Sequence, residues 1–333
     1  MNNNDKKISV KNYINIKELL NEIVHNHNYI FSLIALIVVG RIANPNFLRF
    51  TNIMTLMRSA SVVGILALGM TLVILIGQID LSVGSMMALI GAVSVGVYNF
   101  TDSIILTLLF ALCFGFVLGA FNGIFVGKLK IAGFVVTLAT LAGFRSLTVQ
   151  LGQGGPLLIN NESFYAKLRE IGYGRLFGLP NIVLIFVAAT IIIWILLTKT
   201  KFGRYVYAVG SNAKAASLTG VKVDRIQILV FGLSGMLSGL AAFVYIAQMG
   251  AVDSATAGRA LETDAIAAVA IGGVSMAGGR GFIQGTFFGA IILNSINTIL
   301  TALGVPAFVN DLIKGVLILT AVVLQQLIRR NKD

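Results

Sequence analysis

The chain has 333 residues, of which 57% are hydrophobic and only 11% charged, and its mean hydropathy is +0.90. Soluble domains carry roughly 25% charged residues, so this composition excludes an ordinary soluble enzyme and points to a polytopic membrane protein. The formal net charge of +12 is explained by basic loops flanking membrane spans, and no nucleic acid is expected as a partner.

Residues 1–28 are polar and mixed in charge. They lack the basic stretch, apolar run and small-residue cleavage site of a signal peptide. They read as a cytoplasmic tail or an interfacial helix, in which His25 and His27 are solvated. Apolar runs follow at about 29–43, 60–77, 79–98, 104–126, 131–149, 180–198, 226–247, 264–277, 282–303 and 309–328. About 20 apolar residues cross the hydrocarbon layer, so each run is read as a membrane helix. Long runs without alternation favour helices over a barrel. The expected fold is an all-α polytopic membrane protein of about ten transmembrane helices, in one domain over 29–328 with a short tail at 329–333. With the N-terminus inside, the inner loops hold about 16 Lys and Arg and the outer loops about seven. That bias places both termini in the cytoplasm.

The first polar interruption is GQIDLSVGS at 77–85, where Asp80 follows one apolar run and opens the next. An acid at a helix start complements the dipole and caps free N–H groups. Charges beside spans are also functional candidates by default. Asp80, Ser82 and Ser85 are therefore read either as a cap where two helices turn or as part of a pathway or gate. Gly115, Gly119, Gly123 and Gly127 then recur every fourth residue, on one helix face. Gly235 with Gly239, and Gly281 with Gly285 and Gly289, repeat the spacing. Such ladders let helix backbones approach closely. The single cysteine, Cys113, allows no internal disulfide and is read as a small packed hydrophobe.

The most basic connector is 199–225, with six basic residues and one acid. Ala213 to Leu218 suits a short helix, and Gly220 suits its stop. This connector is read either as a dock for a soluble partner or as a basic loop on anionic lipid. Further on, Glu262 and Asp264 stand at the start of a run rich in small residues, LETDAIAAVAIGGVS, and join Asp80, Ser82 and Ser85 as pathway or gating candidates. Asp80 and Asp264 share a setting in oppositely directed spans, the pattern of an inverted repeat. Arg145 and Lys314 fall within runs. No zinc-protease, serine-hydrolase or paired CxxC pattern occurs, and no metal site or catalytic residue is assigned. Gly127-Lys128 is followed by Leu129, where a Walker A motif requires Ser or Thr. Transport without a P-loop of its own is the expected work. An ion-coupled carrier acting alone, with Asp80 and Asp264 as ion sites, is the rival from another class.

Four strings together resemble the permease family of ribose/galactoside-type sugar ABC importers. They are MTLVILIGQIDLSVGSMMALIGA (70–92), GRYVYAVGSNAKAASLTGV (203–221), LETDAIAAVAIGGVSMAGGRG (261–281) and NDLIKGVLILTAVV (310–323). The resemblance spans about 45–325. It implies a membrane subunit in the bacterial plasma membrane that moves a monosaccharide, with ribose the first candidate. A separate ATPase subunit would bind ATP and Mg, a periplasmic or lipid-anchored binding protein would deliver the sugar, and a second permease copy or paralogue would complete the pathway. Nucleosides, branched-chain amino acids and signalling sugars are alternative cargo. The coupling segment implied by the resemblance includes Arg204, Asn212, Lys214, Ala215, Ala216, Leu218 and Gly220. Relatives usually have glutamate where Ala213 or Lys214 stands and glycine at Ser211, so the surface here is more basic.

Overall fold

The computed structural model describes residues 46–160 and 162–306, together with positions 34, 37, 38, 40–42, 309, 311–316, 318–320 and 323. In chain order the named elements are α1 (Phe50–Leu75), α2 (Val83–Thr101), α3 (Ile104–Gly127), α4 (Gly133–Gly152), β1 (Pro156–Leu158) and α5 (Glu162–Tyr173). There follow β2 (Arg175–Leu176), β3 (Leu179–Pro180), α6 (Asn181–Lys199), α7 (Lys201–Leu218), α8 (Val223–Met249), β4 (Ala251–Asp253), α9 (Leu261–Ile271) and α10 (Ile283–Ala302). The described positions at 34–42 and 309–323 are helical as well.

Seven helices among the described residues are long and apolar enough to cross a membrane: α1, α2, α3, α4, α6, α8 and α10. The apolar runs at 29–43 and 309–328 lie partly or largely outside the described residues. The run at 264–277 requires correction. Its helix, α9, has 11 residues, about 16 Å at the helical rise and about half the hydrocarbon thickness. Hydropathy carries the run past Ile271, but Gly273, Gly278, Gly279 and Gly281 all adopt positive φ. Such a backbone cannot continue a helix.

The buried centre is formed by α1, α2 and α8, whereas α3 and α4 expose most of their surface. Leu106, Leu109, Val117, Phe134, Leu138 and Leu147 all point outward, the apolar exterior a bilayer-facing helix requires. Cys113 also lies exposed on α3, correcting its reading as a packed residue. The short strands, unforeseen in an all-α reading, close one face of the bundle. There β1 pairs antiparallel with β4, Pro156 opposite Asp253 and Leu158 opposite Ala251. Asn99, near the end of α2, ties itself to this cap by donating to the Leu158 carbonyl at 2.9 Å. The opposite face carries α7.

The chain reverses its construction between its two halves. The 26-residue α1 ends at Gly77, φ +74°, and Asp80 follows. The 27-residue α8 ends at Gly250, φ +66°, and Asp253 follows. Each Asp accepts backbone N–H groups just ahead of it, from Ser82 for Asp80 and from Ala255 and Thr256 for Asp253. These N–H groups, that of Thr256 first, hold the Asp253 carboxyl below the usual carboxylate range. Asp253 thus repeats the Gly-x-x-Asp turn of Asp80, whereas Asp264 stands in the first turn of α9.

Candidate functional site

The break between α1 and α2 is irregular backbone set inside a helical bundle. Non-helical backbone at membrane depth persists only where protein satisfies its polar groups. Gln78 Oε1 accepts the Gly133 N–H at 2.7 Å, and Leu81 N–H donates to Thr137 Oγ1 at 3.0 Å. Both partners lie in the first turns of α4. Asp80 is fully buried, and its Oδ1 accepts the Ser82 N–H at 2.9 Å and the Ser82 hydroxyl at 2.6 Å. Asn122 of α3 donates to Ser82 Oγ at 2.9 Å, and Ser85 donates to the Ser82 carbonyl at 3.0 Å. Asp80 Oδ2 and Asn122 Oδ1 are buried without a partner. Asp80 therefore holds the turn that precedes α2. It does not sit inside the helix, whose N-cap is Ser82.

This break touches α7 directly. Gly279 N–H donates to the Leu75 carbonyl at 2.9 Å. A Cβ added at Gly210 would overlap that same carbonyl, and one at Gly278 would come within 2.8 Å of the Gly77 nitrogen. Three backbones thus meet at one point: the end of α1, the middle of α7 and the glycine turn after α9. Tyr207 of α7 adds a hydrogen bond to the Gly281 carbonyl at 2.8 Å. Just beyond the junction α7 kinks at Asn212, φ −161° and ψ 99°. The Asn212 side chain restarts the helix by accepting the Ala215 N–H at 2.9 Å. From there to Gly220, φ +87°, the chain is exposed except for Ala216.

The second break, 250–260, descends along α2. Val252 lies beside Gly91, and Gly258 beside Gly84. Arg145 of α4 donates to the Ala257 carbonyl, so this in-span cation is spent on irregular backbone. Glu262 lies against the start of α2, where a Cβ on Gly84 would come within 2.6 Å of its Oε2. Asp264 points elsewhere, to Lys314 at 2.8 Å, with both side chains almost fully covered. Asp311 lies 3.6 Å from the same ammonium but is largely exposed.

The family described as "Branched-chain amino acid transport system / permease component" matches residues 52–322. The chain belongs to this family. It is 41% identical over 296 residues to the ribose import permease protein RbsC of Bacillus subtilis, covering 88% of this chain and 90% of that one. It is 38% identical over 293 residues to RbsC of Escherichia coli (strain K12), covering 88% and 91%. The autoinducer 2 import system permease protein LsrC of Yersinia enterocolitica is 36% identical over 295 residues, covering 88% and 80%. No solved structure matches.

Within this permease the sequence-derived candidates fall into separate groups. Asp80, Ser82 and Ser85 form one buried cluster. Glu262 and Asp264, although two residues apart, serve different neighbours. Asn212, Lys214, Ala215 and Leu218 lie on the exposed half of α7, with Ala216 buried beneath them and Gly220 exposed just past the helix end. Arg204 is exposed on the half before the kink. The connector expected to hold one short helix is helical from Lys201 onward, because Thr200 caps it by accepting the Gly203 N–H at 3.3 Å. The glycine ladders sit at close backbone approaches. A Cβ on Gly115 or Gly119 would overlap the carbonyls of Gly235 or Phe231. Gly123 and Gly127 face Ile228 and Asp224, and Gly239 faces Ala111. Gly285 and Gly289 press α10 onto Gly272 and Ala268, and Gly281 lies against Val274. Sequence reasoning missed Asn122 and Thr137, and it placed Gly210 in the coupling segment without its contact to Leu75. Gly210 stood within a quoted string, but nothing local to it signalled contact with Leu75.

Proposed function

We propose that this permease is the membrane subunit of an ABC importer that passes a monosaccharide, ribose first among candidates, into the cell. The observation that carries this reading is the nearly end-to-end likeness to ribose import permeases. A separate ATPase subunit, holding ATP and Mg, docks on the exposed half of α7. A binding protein delivers sugar to the face closed by β1 and β4, and a second permease copy completes the route. Both termini lie with α7 in the cytoplasm. The three-backbone junction supplies the coupling. Movement of α7 at Gly210 bears on Leu75 and Gly279 without any intervening side chain. It thereby displaces the Asp80 turn and the glycine turn together, and rigid-body tilting of α2 and α9 follows. Asp80 in this reading keeps a turn intact during that movement and leaves sugar affinity to the binding protein.

The test is reconstitution of the permease in nanodiscs with its ATPase and binding protein. Ribose-loaded binding protein should stimulate ATP hydrolysis, and disruption of 212–220 should abolish the stimulation. If ribose fails and autoinducer 2 stimulates, the cargo is the signalling sugar, a reading that the LsrC relatives favour. If no complex forms and the permease alone moves solute down an ion gradient, the importer reading falls.

A further inference from the structure

Three charged side chains meet midway between the two faces of the bundle. α4 starts beside Gln78, on the side that carries α7, and leads to β1 on the opposite side. Arg145 lies about two thirds of the way along its 20 residues, about 18 Å into a helix about 30 Å long. Glu262 reaches a similar depth from another element. It stands in the first turn of α9, which is about 16 Å long and runs toward the glycine turn that meets Gly77 and Gly210. Arg259 comes from the irregular backbone just ahead of α9. Arg145 lies within electrostatic reach of both Arg259 and Glu262. None of the three is sealed. Arg259 is exposed, as are Thr256 and Thr263 on either side of it, and Arg145 and Glu262 are partly exposed. The bond to the Ala257 carbonyl occupies one of the five donors of the Arg145 guanidinium. Arg259 uses its Nε on the Ala255 carbonyl at 2.7 Å, and its terminal amino groups make no further bond among the described residues.

Open charge at this depth cannot face acyl chains, and ionisable groups inside a membrane line water-filled cavities and substrate paths. The chemistry of the trio defines the solute. Arginine only donates and an ionised glutamate only accepts. Two planar forks beside one carboxylate suit a neutral solute whose hydroxyl groups both donate and accept. Two arginines repel a cation, the carboxylate opposes an anion, and an apolar solute leaves all three unpaired. We propose that Arg145, Arg259 and Glu262 form a polyol-binding subsite midway along the translocation route. Capture of sugar from outside stays with the binding protein. The subsite takes the hydroxyl groups over from water during passage and holds them weakly enough to let go. The inference rests on the importer reading and adds to it where in the membrane the sugar is held.

The experiment uses the assembled importer in proteoliposomes and reads ribose uptake and ATP hydrolysis from the same vesicles. A hydrogen bond to a charged group is worth roughly tenfold. Arg259→Gln and Glu262→Gln should each lower the ribose moved per ATP by roughly tenfold, while loaded binding protein still stimulates hydrolysis as in the parent. Arg259→Lys, which keeps the charge and loses the fork, should fall between. Arg175→Gln, exposed on the β2–β3 hairpin, should change nothing. A second measurement uses the permease alone in nanodiscs. Thr263→Cys, in a Cys113→Ser background, should react with a membrane-impermeant thiol reagent, and excess ribose should slow that reaction where an equal concentration of betaine does not. An unchanged ribose yield per ATP in both Gln variants overturns the proposal. So does a parallel loss of hydrolysis and uptake, which describes coupling or folding. So does an unreactive thiol, which places this face against lipid or a second copy. If the parent assembly shows no stimulation at all, the importer reading fails, and protection of the thiol by ribose still decides the subsite.

Discussion

Replacing Lys314 by Met should cripple this permease more than its position near the chain's end suggests. Lys314 and Asp264 join at 2.8 Å, with their side chains only 14% and 12% exposed. Deleting one member of a buried pair strands the other charge and typically costs about 3–5 kcal/mol. For a chain of this size each kcal/mol moves the melting midpoint by roughly 1.5 °C, so the drop should be roughly 4–8 °C. Removing both charges, as Asp264→Leu/Lys314→Met, leaves no stranded ion and should recover most of the loss. Asp311 is 73% exposed and 3.6 Å away, so Asp311→Asn should change stability by no more than about 0.5 kcal/mol. Thermal unfolding followed by the fluorescence of Trp194 in nanodiscs gives all four corners of the cycle. The reasoning is refuted if each single variant costs less than about 1 kcal/mol, or if the double variant equals the sum of the singles.

Other expectations follow from the same contacts. Gly119→Leu should prevent α3 from seating on α8, because even a Cβ there overlaps the Phe231 carbonyl, and folded yield should collapse; Gly96→Ala, with open space around it, should be tolerated. Asp80→Asn keeps an acceptor for the two Ser82 bonds and should preserve uptake and stability. Asp80→Leu leaves buried donors unmet at about 1–3 kcal/mol each, and size-exclusion profiles with ribose uptake would separate the two variants. Asn212→Ala removes the cap that restarts α7, worth about 1 kcal/mol. It should lower the stimulation of the partner ATPase by loaded binding protein while permease melting shifts little.

Much of this architecture was legible because hydropathy and glycine spacing act locally. The Gly115–Gly127 ladder announced a helix face, and its register named the residues that meet α8. The position of Gly220 announced where α7 stops. Asp80 was legible as a turn residue, but the supports of its turn were not, since Asn122, which holds Ser82, and Thr137, which holds Leu81, come from helices 40 residues and more along the chain. The shortness of α9 was hidden because Ala, Ile, Val and Gly look equally apolar, whereas only a positive φ ends the helix. The amphipathic α5 was missed because hydropathy windows are blind to a short helix of mixed polar and apolar residues. Lys314 could be recognised as an in-span charge, yet its choice of Asp264 over Asp80 or Glu262 is a fact of tertiary packing.

The turn that follows α1 also bears on how the chain is made. Gln78 and Leu81 depend on Gly133 and Thr137, and Ser82 depends on Asn122. None of Gly133, Thr137 and Asn122 has left the ribosome when α1 and α2 reach the translocon. A nascent chain halted after Thr101 therefore carries amide groups whose only company is water or the translocon wall. The α1–α2 hairpin cannot be released into lipid as a finished unit. It must wait in the lateral gate until α4 arrives, so that α1 to α4 are released together. A series of arrest-peptide fusions that lengthens the chain stepwise would register this as a late pulling force, rising as Thr137 enters the membrane.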